Sequence, residues 1–534
     1  MRHHVKHHLI LLCALLGSLL SAQAIAAPPV FSFLEEDVEA FDEILHDFDR
    51  KHGWDNDPID HEGPVEMIQD LKLGERSTHD AVWALSPMWL DLGDEREVIK
   101  HRRSLARSPV VWGVKRSLAR RWGWIKNPPT TEEMFRKAKS GELRGLVMAS
   151  ASHCTSGALS YLSMLYAAAG SPDMLKPRHL RDRRVQDTVK KWLKAVERSD
   201  QSSVWITDDL VRKYNDHDAM VNFQAEIIRA NRKLVASGRE PLVQIVPREG
   251  TMLAQATLGF IPHRRSRDNR EKERFFLKLR RHLSSPAIQR EFRSLGWLSG
   301  VTPRLNSRVF KPEWGMQASL KHFPLPQPKL IEEALELYQT KLRKPSLTVF
   351  VLDVSGSMRG SRISDLQDAM HQVLDPKLTR RHLLQATPDD VTIVITFSKG
   401  VRHKWVVRGN DPRDLRELDR KISSEEARGG THLFTALVEA YRELEEHPEF
   451  LRGHLPAIVL LSDGEPSREP RTWRDVKRAM RDVSEYGKVP IHPVLFGESD
   501  DALMRKIADE TEGHLINAHD GRLTRAFRLL QGGH

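Results

Sequence analysis

Apolar and polar residues alternate along this chain in two rhythms. In the last third, apolar runs at Leu347–Leu352, Val391–Phe397, Ala457–Leu461 and Val489–Phe496 are rich in β-branched residues. Runs of this length and make-up predict strands buried on both faces. Between them, apolar positions recur at helical spacing over Ser361–Leu374, Leu433–Glu446, Thr472–Tyr486 and Asp500–Thr511. Strand and helix in alternation imply a doubly wound, mostly parallel α/β sheet. In such sheets a ligand binds beyond the carboxyl ends of the strands.

The first two-thirds runs to a different order. Asp80–Trp89, Ser108–Val114 and Gly123-Trp124 precede Gly141–Ala149, a turn at Ser152–Gly157 and a helical stretch, Ala158–Ala169. Met220–Asn231, Leu242–Gly250 and Phe275–Leu295 follow. Pro312–Pro345 holds several prolines around one helical run, Leu330–Leu342, and reads as a Pro-stiffened spacer with a short helix. At the start, Met1–His8 is basic, Leu9–Leu20 is apolar and Ala24-Ile25-Ala26 are small. That is the pattern of an export signal spanning 1–26, with Ala27 the mature start. The apolar run is shorter than the roughly 20 residues a spanning helix needs. Left uncleaved, it would hold the protein at the membrane.

A length of 534 residues implies two or three domains. The net charge of +10 is modest for that length. Arg-rich patches at His101–Arg121 and His263–Arg281 come without a nucleic-acid-binding motif, so they read as solvated helix faces or contacts with an anionic membrane surface. No nucleic-acid partner is expected. Removal of Cys13 with the leader leaves Cys154 as the one thiol, and an exported chain with one thiol has no internal disulfide. His153 precedes Cys154, but adjacent residues rarely meet in nucleophile–base geometry and the sequence nominates no third partner. There is no GxxxxGK[ST] phosphate loop. The expectation is a protein that is not an enzyme.

The chemistry concentrates in three loops, two of them at strand ends. Asp353-Val354-Ser355-Gly356-Ser357 follows the first apolar run, Gly429-Gly430-Thr431 lies downstream, and Ser462-Asp463-Gly464 follows the third run. A DxSxS string by itself is common, but all three elements in this order and context are not. Their carboxylates and hydroxyls are hard, small oxygen donors, which suit a Mg²⁺ ion that retains some of its waters.

These residues resemble the von Willebrand factor type A (VWA) domain and its metal-ion-dependent adhesion site, over residues 346–534. The resemblance implies a Rossmann-like domain in which Asp353, Ser355 and Ser357 form the first metal loop, Thr431 the second and Asp463 the third. It implies Mg²⁺, or Mn²⁺ or Ca²⁺ in its place, with one coordination position open to an acidic residue of a partner protein. Residues 27–315 resemble bacterial extracellular solute-binding proteins, the two-lobed periplasmic type. Here the resemblance implies a cleft lined by Ser86, Ser108, Thr155, Ser156 and Gly157, which would take a small anionic or peptide ligand at a helix N-terminus. Phe223-Gln224 and Val246–Gly250 depart from that family's pattern. The expected organisation is a signal at 1–26, a two-lobed module at 27–315, a linker at 316–345 and a VWA domain at 346–534. The expected role is an exported, periplasmic or extracellular adhesion protein of the bacterial envelope. The alternative is the substrate-binding component of a transport system, docked through its C-terminal domain.

Overall fold

Two sheets organise the chain. The computed structural model describes residues 33–35, 39–52, 59–200, 202–264, 267–299, 308–317, 320–451, 453–463, 466–484, 488–519 and 522–532. The leader expected at 1–26 lies outside the described residues. Among the described residues no helix is long and apolar enough to cross a membrane.

The C-terminal sheet orders its strands Val401–Arg408, Val391–Phe397, Ser346–Asp353, Leu455–Ser462, Ile491–Leu495, Ile516–Asn517. All neighbours are parallel except Val401–Arg408, which runs antiparallel along Val391–Phe397. Side chains of the central strands alternate between two cores, as the period of two requires. Val349, Val351, Ile458 and Leu460 pack beneath the helices Leu433–Glu446 and Trp473–Val483. Phe350, Leu352, Val459 and Leu461 pack beneath Ser361–Leu374 and Leu523–Gly532. Both faces are covered, which is why these strands read as unbroken apolar runs. The first strand in sequence, Ser346–Asp353, lies mid-sheet, with its parallel neighbours Val391–Phe397 and Leu455–Ser462 on opposite sides of it. Its carboxyl end is therefore the topological switch point, where a crevice opens.

The N-terminal region is also α/β, with a ten-stranded sheet in two parts. One strand, Lys100–Lys115, belongs to both. Its first part, Lys100–Pro109, pairs with Leu253–Phe260, and its second, Val110–Lys115, pairs with Ala219–Phe223 and Leu242–Ile245. A single continuous strand thus joins the two lobes. The α/β class expected for both regions is the one observed.

The spacer expected at 316–345 takes a different form. Phe323, Leu330, Ile331, Ala334, Leu335, Tyr338 and Leu342 are buried in the same core as Trp83, Trp89 and Tyr161. The helix Pro328–Leu337 starts on a proline, the residue best suited to its first turn. It lies against Thr155–Ala168, where the Tyr161 hydroxyl donates to Ala334 O (2.9 Å) and that of Tyr166 to Pro324 O (2.9 Å). Proline here starts a packed helix and does not stiffen a tether, because the apolar face that follows has a surface to cover.

The two regions also touch directly. Arg381 Nε donates to Gln69 Oε1 (2.7 Å), Lys213 pairs with Glu512 (2.9 Å) and His514 with Asp200 (2.8 Å). A cavity of about 450 Å³ lies between them, with Trp205 and Lys213 facing His514 and Leu530. It opens at the amino ends of the C-terminal strands, beside Pro456 and Pro490, and leaves the carboxyl ends clear.

Ile331 is 1% exposed. Ile331→Ala is expected to cost about 2–5 kcal/mol in urea unfolding. A change within about 0.5 kcal/mol, as at a surface position, would show that this stretch is a spacer after all.

Candidate metal centre

The Ser346–Asp353 strand ends on an acid because the sheet ends there. Asp353 is fully buried, with Oδ1 accepting from Ser355 N–H (2.8 Å) and Oδ2 from the Ser462 hydroxyl (2.5 Å). Ser462 ends the neighbouring strand Leu455–Ser462, so two adjacent strand tips are tied through one carboxylate. The tie continues outward. Ser355 Oγ lies 2.9 Å from Ser357 Oγ, and Ser357 Oγ donates to Asp463 Oδ1 (2.7 Å). Asp353, Ser355, Ser357 and Asp463 are thus joined in one hydrogen-bonded run, its first link through the Ser355 backbone N–H.

Thr431 reaches this group through backbone. Gly356 N–H donates to Gly429 O (3.0 Å), Thr431 N–H donates to Ser467 Oγ (3.0 Å), and Ser467 N–H returns to Thr431 O (2.9 Å). Gly429 sits at φ +93°, in the left-handed region that favours glycine, and a Cβ there would stand 3.2 Å from Ser398 Oγ. The second loop can approach the first only with glycine at that point.

Burial of Asp353 without a cation pushes its pKa up to about 6. The hydrogen bonds from Ser462 and Ser355 oppose the rise, and neighbouring Asp463 adds to it. A nearby positive charge would relieve this cost. Among the described residues no group of three His, Cys, Asp or Glu side chains could hold a metal. A cation here would rely on two carboxylates completed by hydroxyls, a donor set that fits Mg²⁺ and offers no thiolate or imidazole for softer metals.

Two participants were not evident from the sequence. One is Ser462, the strand-end hydroxyl that clamps Asp353. The other is Arg362, whose Nη1 donates to Asp463 Oδ2 (2.7 Å). A guanidinium in the first turn of Ser361–Leu374 faces the unfavourable end of the helix dipole, and Asp463 accounts for its placement. Gly497 at φ +63° packs against both, each 3.1 Å from where its Cβ would be.

The hydroxyls expected in the N-terminal cleft are all buried and bonded within the protein. Ser86 caps the helix Pro87–Gly93, and Ser108 Oγ accepts from Ala225 N–H (3.2 Å). Thr155 Oγ1 accepts from the Trp89 indole, and Ser156 Oγ lies 3.3 Å from Cys154 Sγ. A Cβ on Gly157 would lie 2.2 Å from Ser150 O, so close helix–strand packing requires glycine there. The loop opening this helix is covered from outside: the Ser152 hydroxyl donates to Gln339 Oε1 (3.1 Å). His153 points its nitrogens at Ser152 Oγ (2.9 Å) and His382 O (3.2 Å), and burial lowers its pKa to about 4.

One stretch of the chain matches a known family model, and the chain resembles several characterised proteins over part of its length. Residues 348–528 match the von Willebrand factor type A domain model. The chain is similar to inter-alpha-trypsin inhibitor heavy chain H4 of Bos taurus, 29% identical over 127 residues, and to its Homo sapiens counterpart, 23% identical over 180. The matches cover 23% and 33% of this chain and only 13% and 18% of those relatives. Among solved structures, a von Willebrand factor type A protein from Catenulispora acidiphila is 21% identical, with TM-score 0.29 over 36% of this chain and 43% of that one. The ferric binding protein from Campylobacter jejuni is 14% identical, with TM-score 0.42 over 58% of this chain and 98% of its own.

The Asp353 carboxyl carries a sign-definite pH dependence. Folding raises its pKa from 3.8 to about 6, so its contribution to stability is complete below pH 3.8 and is lost as pH climbs through 6. At pH 8 in chelator the buried charge costs up to about 3 kcal/mol. Asp353→Asn is therefore expected to unfold at higher urea than wild type at pH 8, and at the same urea below pH 3.8. Equal midpoints at pH 8 would contradict the assignment.

Proposed function

We propose that this chain is an exported, non-enzymatic binding protein that grips a partner through a divalent cation. Mg²⁺ is the first choice, with Mn²⁺ or Ca²⁺ able to stand in. Asp353, Ser355, Ser357, Thr431 and Asp463 would hold it, and when bound the ion supplies a Lewis-acidic point for a carboxylate. The supporting observation is the unbroken hydrogen-bonded run from Ser462 through Asp353, Ser355 and Ser357 to Asp463, placed at the switch point of a doubly wound sheet. These residues align the oxygens in advance, so little ordering cost remains at the moment of binding. Asp463, shared between Ser357 and Arg362, has part of its charge already engaged. A weaker carboxylate donor leaves the ion more receptive to an acid from outside.

The N-terminal module serves in this reading as a platform. Its candidate cleft hydroxyls are engaged internally, and Gln339 and Trp89 stand over the helix end where an anion would sit. That favours adhesion or assembly over capture of a solute. Export rests on the leader pattern of residues 1–26.

Calorimetric titration of the full chain with Mg²⁺ and Mn²⁺ tests the ion site. Saturable binding near one ion per chain is expected for wild type and none for Asp353→Ala. Equal, negligible heats for both would dispose of the reading. In a thermal-shift screen with anions, sugars and peptides, no single small solute is expected to raise the midpoint by several degrees. A shift of that size would favour the transport role instead.

A further inference from the structure

Each loop that presents the metal oxygens also presents an exposed cation: Arg359 on the first, Arg428 on the second and Arg468 on the third. Lys399, in the turn after Val391–Phe397, adds another, its Cγ 3.5 Å from where a Cβ on Gly430 would stand. The loops are stitched together. Arg428 N–H donates to Val354 O (2.9 Å), and Arg359 Nε donates to Ala427 O (3.3 Å), besides the bonds at Gly356 and Ser467. The cations therefore share one surface with the ion site.

Exposed basic residues are ordinarily a solvated face. Two features set this group apart. Among the described residues none of the four has a carboxylate within ion-pair distance. Of the acids nearby, Glu469 is already used, accepting from Phe434 and Thr435 N–H (3.0 and 2.8 Å), while Glu426 on the second loop and Glu498, 3.9 Å from Arg362, are exposed to solvent. These cations stand around a site that would itself hold a doubly charged ion.

We infer that the partner presents a run of acidic residues rather than one isolated acid, a proposal that rests on the ion-site reading above. One carboxylate completes the ion's shell, and its neighbours meet the guanidinium forks of Arg359, Arg428 and Arg468, which accept carboxylates in planar, two-pronged geometry. Each solvated pair adds little alone. Together with the ion they set up a positive field that steers an acidic segment onto the face, and salt weakens it.

The test loads the full chain with Mn²⁺ and follows a fluorescent oligoglutamate peptide by anisotropy, with oligoglutamine as control, at low and high ionic strength. Oligoglutamate is expected to bind, more weakly in high salt, and oligoglutamine is not. The triple variant Arg359→Ser, Arg428→Ser, Arg468→Ser is expected to lose about ten-fold in peptide affinity at low salt, with Mn²⁺ affinity by calorimetry unchanged. The matching triple lysine variant should retain most of the binding. If Mn²⁺ binds but oligoglutamate is held no better than oligoglutamine, or the serine variant holds it as tightly as wild type, the inference fails and the ion site stands. If wild type takes up no Mn²⁺, the ion site itself is refuted.

Discussion

A carboxylate with no access to water sits at the tip of the central strand, and the face of the C-terminal domain is arranged around it. Asp353 is held from one side by its own loop through Ser355 N–H and from the other by the Ser462 hydroxyl of the next strand. Those bonds make the strand tips a single unit, from which Ser357 and Asp463 follow in line. Burying an acid this deeply disfavours its charged form. A nearby positive charge would offset that cost.

Much of this was legible in the sequence, and what was not has identifiable causes. The helices Ser361–Leu374 and Leu433–Glu446 have the bounds that their apolar spacing predicts. Thr472 was read one residue into its helix, although it is the cap, its side chain and Asp475 closing the first turn reciprocally. The antiparallel strand Val401–Arg408 escaped notice because it is an edge. Most of its side chains are exposed and three are basic, the composition that keeps an edge from pairing further. Within the site the three oxygen-bearing loops were recognisable as motifs. Ser462 and Arg362 were not, since each meets its acid across more than a hundred residues, and local pattern holds no trace of that. In the proline-rich stretch the helical run Leu330–Leu342 was legible, but the core surface that its apolar face covers was not.

The two regions meet away from the oxygen cluster. The N-terminal lobes meet the C-terminal domain at the amino ends of its strands and through the Arg381–Gln69 contact, while the oxygen cluster lies at the opposite ends. A molecule approaching the cluster would therefore not have to displace the lobes. The lobes keep a strand running through both halves, yet the helix end that could receive an anion is covered by Trp89 and Gln339.

The most direct examination is a crystal of the full chain soaked in Mn²⁺, with diffraction recorded at the manganese edge. The account predicts one anomalous peak among Asp353, Ser355, Ser357, Thr431 and Asp463. A fully soaked crystal with no peak there, or with its peak elsewhere on the molecule, would contradict it.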